Sequence, residues 1–204
     1  MILGQRLGDL FAVHSARLLV ALERRHAGQL EASQVRLDAL RELLGGDAIA
    51  ALVLTELYGM SPPENDEKYR RVVNRALDFT GKRHPQRKER AHDEGGWRYF
   101  QRQGGVDSDL SITSWNVMFL RSAKNAGFEV DATLIEEGLA FIKRTYNPRD
   151  KTFRYGVTED DHTRGMAGAG ILSLSLAGEH NSELAQNAAK YILTLPFDQY
   201  ECAI

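Results

Sequence analysis

The stretch Asp93–Trp115 reads DEGGWRYFQRQGGVDSDLSITSW, and its two halves have different character. A Gly-Gly-Trp turn comes first, and apolar residues at three- and four-residue spacing follow the acidic segment 107–109. That spacing predicts a helix over residues 112–126 that stops at Gly127. Aspartate at a helix start accepts hydrogen bonds from unpaired N–H groups. Asp107 and Asp109 are therefore interpreted as helix caps, with a catalytic acid as the alternative.

Paired helices recur along the chain. A second helix is predicted after Asp131, its expected cap, and it ends before Asn147-Pro148 because proline disfavours helix at the preceding residue. The pair recurs downstream as RGMAGAGILSLSLA and SELAQNAAKYILTL, and upstream as DAIAALVLTELYG and ENDEKYRRVVNRALDF. In each pair the first helix is largely apolar, which predicts an inner position, and the second has one charged face, which predicts an outer one.

The turns between the pairs follow the same period. Trp97 and Phe153 are 56 residues apart, and the helix stops Gly127 and Gly178 are 51 apart. A helical pair in each period of this length predicts an α-helical repeat protein. The expected fold is all-α, with about eight helices that form an α/α-toroid-like arc, an incomplete barrel. Residues 1–204 are expected to form one domain, with the repeats in 47–200 and weakly matching helices in 1–46.

The composition excludes several classes of function. The 204 residues are 43% hydrophobic and carry a net charge of −2, so nothing favours nucleic acid or an anionic membrane as a partner. Cys202 is the single cysteine, which excludes an intrachain disulfide and a cysteine-based zinc cluster and favours the cytoplasm. No apolar run is long enough to predict a membrane span. Neither a cofactor nor a metal site is expected.

A family resemblance rests on three motifs. GGWRY at 95–99, followed by DSDLSITSW at 107–115, resembles the repeat of squalene–hopene and oxidosqualene cyclases. DDHTRGMAGAGILSLSLAG, from Asp160, is similar to the inner helices of protein prenyltransferase β subunits. From Asp47 to about Tyr200 the chain resembles the prenyltransferase/squalene-oxidase repeat family. The resemblance implies a toroid-like domain whose inner face binds an isoprenoid or another apolar ligand.

The departures from that family concern catalysis. The related cyclases protonate an alkene with the middle acid of an Asp-x-Asp-Asp motif, and Leu110 stands where the final acid would be. The Asp-x-Cys part of a prenyltransferase zinc site does not occur in this sequence. We therefore expect ligand binding without cyclase chemistry. The alternative is a non-catalytic helical repeat module that binds a protein partner or a second copy of itself.

The candidate site residues fall into two sets. If the chain is an enzyme, Asp107, Asp109 and Arg164 are the candidates for catalysis. Trp115, Met118 and Met166 are the candidate ligand contacts because they fall on inner helices, with core packing as the alternative.

Four further features receive structural interpretations. Gly165, Gly168 and Gly170 are interpreted as packing positions, since no strand precedes them as a dinucleotide-binding loop requires. The stretch 158–164 is interpreted as a helix cap, with a metal or diphosphate site as the alternative. The basic stretch 81–90 is interpreted as a solvated linker, with contact to a phosphate or an acidic partner as the alternative. The aromatic residues of the turns are expected to lock one hairpin to the next; they are Trp97, Tyr99, Phe153 and Tyr155.

Overall fold

The computed structural model of the chain describes residues 48–60, 66–85, 88–98 and 107–196. The interpretations that concern residues 1–46, Tyr99 and Cys202 lie outside these ranges. Within them the only strands form one two-residue hairpin, so the predicted all-α class is confirmed. Of the four hairpins expected, the described residues contain three.

The six described α-helices and two strands follow one another as pairs. The helices are α1 (Ala48–Met60), α2 (Asp66–Arg83), α3 (Leu110–Asn125), α4 (Ala132–Arg144), α5 (Arg164–Leu176) and α6 (Glu183–Thr194). A 3-10 turn, Ala91–Asp93, lies between α2 and α3. Strands β1 (Tyr146–Asn147) and β2 (Thr152–Phe153) pair antiparallel between α4 and α5, with Tyr146 opposite Phe153.

Capping side chains set the helix starts. Asp109 and Asp131 cap α3 and α4, and Thr163 and Ser182 cap α5 and α6, each by accepting a hydrogen bond from a backbone N–H in the first turn. Because Asp109 is the cap, α3 begins at Leu110, two residues before the first apolar residue of the predicted pattern. The predicted stops are confirmed, since Gly127 and Gly178 have φ of 84° and 81°, which glycine adopts without strain.

The helices lie in two layers. Helices α1, α3 and α5 form a central row in which α3 contacts α1 on one side and α5 on the other. Helices α2, α4 and α6 each pack against the central helix that precedes them in sequence. This arrangement agrees with the sequence, in which largely apolar helices alternate with helices that have one charged face. Closure of the layers into an arc stays a prediction.

Helix α3 is the centre of the hydrophobic core. Its Leu110, Val117 and Leu120 pack in one cluster with residues of α4, α5 and α6, and its Phe119 and Ala123 pack in a second with residues of α1 and α2. Trp97 and Phe153 are buried in the first cluster, which confirms that the turn aromatics join neighbouring hairpins. Among the described residues no helix is long and apolar enough to cross a membrane.

Candidate functional site

The acidic segment 107–109 is fixed against the turn that contains Trp97. The Asp109 N–H donates to the Trp97 carbonyl at 3.1 Å, and the Asp107 N–H donates to Asp93 Oδ2 at 3.0 Å. The Ser108 hydroxyl donates to the Asp93 carbonyl at 2.6 Å. A Cβ on Gly96 would stand 2.5 Å from Ser108 Cβ, so only glycine permits this approach. The Gly-Gly-Trp turn therefore positions the two acids.

Asp109 is a fully buried helix cap. Its Oδ1 accepts hydrogen bonds from the Ile112 N–H and the Ser111 hydroxyl, both at 2.8 Å. Its Oδ2 lies 3.5 Å from NH1 of Arg98, and the Tyr155 side chain also interacts with the carboxyl group. One carboxylate oxygen thus caps α3 while the other forms a buried ion pair.

Arg98 is the partner of Asp109 that sequence reasoning missed. Its side chain is 13% exposed, and its guanidinium lies over the Tyr155 ring at 5.8 Å as well as beside Asp109. The sequence did contain a pattern that singles out Arg98, because Arg98 in GGWRY and Arg154 in TFRY each follow the aromatic residue of a turn between helix pairs.

Burial raises the pKa of Asp109 to about 6. The Ile112 N–H, the Ser111 hydroxyl, the charge of Arg98 and the Tyr155 side chain all oppose this rise, in decreasing order. An acid that protonates an alkene must be stronger than an ordinary carboxylic acid, and the environment of Asp109 makes it weaker. The geometry and the pKa therefore both favour the cap.

The raised pKa predicts an unusual pH dependence of stability. The folded protein holds the Asp109 proton more tightly than the unfolded chain does, and this difference stabilises the fold at low pH. The stabilisation is complete below pH 3.8 and is lost as pH rises to about 6. Its size is on the order of 3 kcal/mol. Urea unfolding of the wild type and of Asp109→Asn from pH 4 to pH 7 measures it. The wild type is expected to lose stability relative to the variant as pH rises; a constant difference would contradict the assignment.

The other two candidates for catalysis lie in different surroundings. The Asp107 carboxylate accepts a hydrogen bond from the Glu89 N–H at 2.6 Å, and its backbone carbonyl accepts one from Lys88 Nζ at 3.2 Å. The interpretation of Asp107 as a cap is therefore wrong, because Asp109 is the N-cap of α3. Arg164 is the first residue of α5, and its guanidinium donates to the Pro196 carbonyl, beyond the end of α6. The ion-pair partner of Asp109 is Arg98.

Two of the candidate ligand contacts share one face of α3. Trp115 and Met118 are half-buried, and they lie on a line with Ser111 and Ser122, which are also half-buried. One repeat later, Gly165, Ala169, Leu172 and Leu176 occupy the equivalent positions after the Thr163 cap, and Leu172 is 46% exposed. We call these eight residues the open face of the central row. Met166, in contrast, is buried in the core.

The comparisons with known proteins give no match: no family model, no curated protein and no solved structure matches the chain. Among the described residues, no group of three or more histidine, cysteine, aspartate or glutamate side chains is arranged to hold a metal ion.

Proposed function

We propose that this chain is a non-catalytic helical repeat domain that binds an isoprenoid or another apolar ligand on the open face of the central row. The observation that carries the proposal is that Trp115 and Met118 on α3 and Leu172 on the neighbouring α5 occupy equivalent positions after their helix caps and all keep exposed surface. These side chains keep accessible surface although half of the residues of α3 are buried. Burial of such apolar area by a ligand is favourable.

The absence of catalysis in this proposal rests on Asp109. The resemblance to cyclases points to this acid, yet its carboxylate is fully buried and held by the Ile112 N–H and by Arg98. Both oxygens face groups of the protein, which favours a structural role for the acid over proton donation to a ligand.

Tryptophan fluorescence tests the proposal because the two tryptophans differ in exposure. Trp97 is 2% exposed in the core, whereas Trp115 lies on the open face. Titration with farnesol is expected to shift the emission of the wild type to shorter wavelength, and Trp115→Phe is expected to abolish the shift. Met118→Gln is expected to weaken binding about tenfold, since a thioether side chain contributes about 1.5–3 kcal/mol when fully buried.

The control is Leu193→Gln, which changes an apolar side chain that is 84% exposed on the outer helix α6. It is expected to leave farnesol binding unchanged. A shift that persists in Trp115→Phe, or equal weakening by Met118→Gln and Leu193→Gln, would refute binding at the open face.

The second candidate function is a helical repeat module that binds a protein partner or a second copy. The observation that favours it is the exposure of Met60 at the end of α1 and of Leu193 near the end of α6, at 81% and 84%. Sedimentation of the wild type and of Leu193→Gln over a wide concentration range separates the two candidates. Concentration-dependent association that Leu193→Gln abolishes, together with no farnesol shift, would favour this module.

A further inference from the structure

A cavity of about 510 Å³ lies between the C-terminal end of α2, the 3-10 turn and α4. Its size is in the range of about 300–1,000 Å³ that is typical of small-molecule sites. Its lining includes His84, Lys88, Glu94, Glu137 and Arg144. None of these residues belongs to the open face of the central row, so the cavity is a separate place on the protein.

His84 presents a buried nitrogen without a partner to this cavity. Its side chain is 7% exposed, and its ring packs on Trp97 with 4.6 Å between the ring centroids. Its Nε2 lies 3.4 Å from Glu137 Oε2 but makes no hydrogen bond. A buried polar atom in this state is uncommon in folded proteins and calls for an explanation, such as a bound ligand.

The protonation of His84 explains why Nε2 has no partner. Burial lowers the pKa of His84, the charge of Glu137 opposes that effect, and the ring is therefore neutral at pH 7. The backbone of Gly95 also opposes the lowering of the His84 pKa, as a carbonyl that accepts from the ring does, so we assign the single proton to Nδ1. The lone pair of Nε2 then faces the Glu137 carboxylate, so both groups are hydrogen-bond acceptors. A donor placed between Nε2 and Glu137 Oε2 could hydrogen-bond to both.

The cations of the cavity are already engaged by the backbone. Lys88 Nζ donates to the Asp107 carbonyl at 3.2 Å. Arg144 donates through Nε to the His92 carbonyl at 3.2 Å and through NH2 to the Glu94 carbonyl. The Glu137 side chain is 55% exposed and lies beside His84. The groups best placed to accept a ligand's hydrogen bonds are therefore His84 Nε2 and the Glu137 carboxylate, while the positive charges of Lys88 and Arg144 balance the negative charges of Glu94 and Glu137 over the lining as a whole.

We propose that this cavity binds a small organic cation that carries a primary ammonium group. The ammonium donates hydrogen bonds to His84 Nε2 and to the Glu137 carboxylate, and Glu94 adds a second negative charge to the lining. A metal ion fits less well, because the described residues place no set of three histidine or carboxylate ligands here. The cavity leaves room for an alkyl chain beside Ala140.

Calorimetric titration of the wild-type protein at pH 7 with n-butylamine tests this proposal, with n-butanol and butyrate as probes of the same length. Binding of n-butylamine is expected, with at least about tenfold weaker binding of both other probes, because a hydrogen bond to a charged group contributes most in a buried site. Nα-acetyl-lysine amide in a further titration distinguishes a free amine from a lysine side chain as the source of the ammonium.

Two variants of α4 test whether n-butylamine binds in this cavity. Glu137→Gln removes the carboxylate charge and is expected to weaken n-butylamine binding about tenfold or more. Glu136→Gln is the matched control, because it makes the same change on the neighbouring exposed residue of α4, outside the cavity lining. Equal effects of the two variants, or butyrate binding as tightly as n-butylamine, would overturn the proposal. Trp115→Phe is expected to leave n-butylamine binding unchanged, which keeps this result separate from the test of the open face.

Discussion

Asp109→Ala is expected to lower the free energy of unfolding at pH 7 by about 3 kcal/mol. The change removes the cap of α3, which is worth about 0.5–2 kcal/mol, and it leaves the charge of Arg98 beside no carboxylate in a site that is largely shielded from water. We expect these losses to exceed the gain from no longer burying the Asp109 carboxylate charge. Because α3 contacts α1, α4 and α5, loss of its first turn affects the centre of the core. Urea unfolding followed by circular dichroism measures the effect.

Thr163→Ala is the matched control for the cap alone. Thr163 occupies the equivalent position before α5, where its hydroxyl accepts from the Met166 N–H at 3.2 Å, without a buried charge. Its replacement is expected to cost about 1 kcal/mol. In a double-mutant cycle, Arg98→Met added to Asp109→Ala is expected to recover about 1–2 kcal/mol, because it removes the stranded charge. If Asp109→Ala costs no more than Thr163→Ala, the ion pair contributes nothing to stability.

Gly170→Ala is expected to lower the free energy of unfolding by about 2 kcal/mol. A Cβ at this position would stand 2.5 Å from Cγ of Phe153 and 2.6 Å from its Cε2, and the Phe153 ring is fully buried. The ring cannot move aside without displacing its neighbours in a close-packed core. The cost of this overpacking exceeds the gain that alanine normally brings to the interior of a helix.

Gly168→Ala supplies the opposite result in the same helix. A Cβ at Gly168 would have no atom within 4 Å, so the substitution is expected to stabilise the protein by about 0.5–1 kcal/mol through helix propensity. Thermal unfolding of the two variants side by side checks both values. Destabilisation by Gly168→Ala, or a neutral Gly170→Ala, would mean that the packing of α5 on Phe153 differs from the one described.

The helices and their ends were predictable from the sequence because they depend on neighbours within a few residues. Asp131 caps the helix that follows it, and Gly127 and Gly178 end helices by adopting positive φ. Each of these effects acts within one turn, where sequence distance and spatial distance are nearly the same. The pairing of helices was predictable because largely apolar segments alternate with segments that have one charged face.

The candidate site was predictable only in part. The sequence placed Trp115 and Met118 on one face of an inner helix, and both keep accessible surface in the structure. It grouped Met166 with them, whereas packing turns Met166 into the core beside residues of other elements. The sequence gives the helical spacing of these residues but not the rotation of α5 about its own axis. That rotation depends on where Phe153 and the neighbouring helices lie.

Local interactions thus made the all-α class, the helix boundaries and the capping role of Asp109 readable from the sequence by itself. Only the tertiary structure decided that Arg98 is the partner of Asp109, that Gly170 and not Gly168 is the packing glycine, and that His84 faces Glu137. The physical reason is the same in all three cases. Ion pairs, steric contacts and cavities depend on distances between side chains that are far apart in the chain, and the packing of the helices sets those distances.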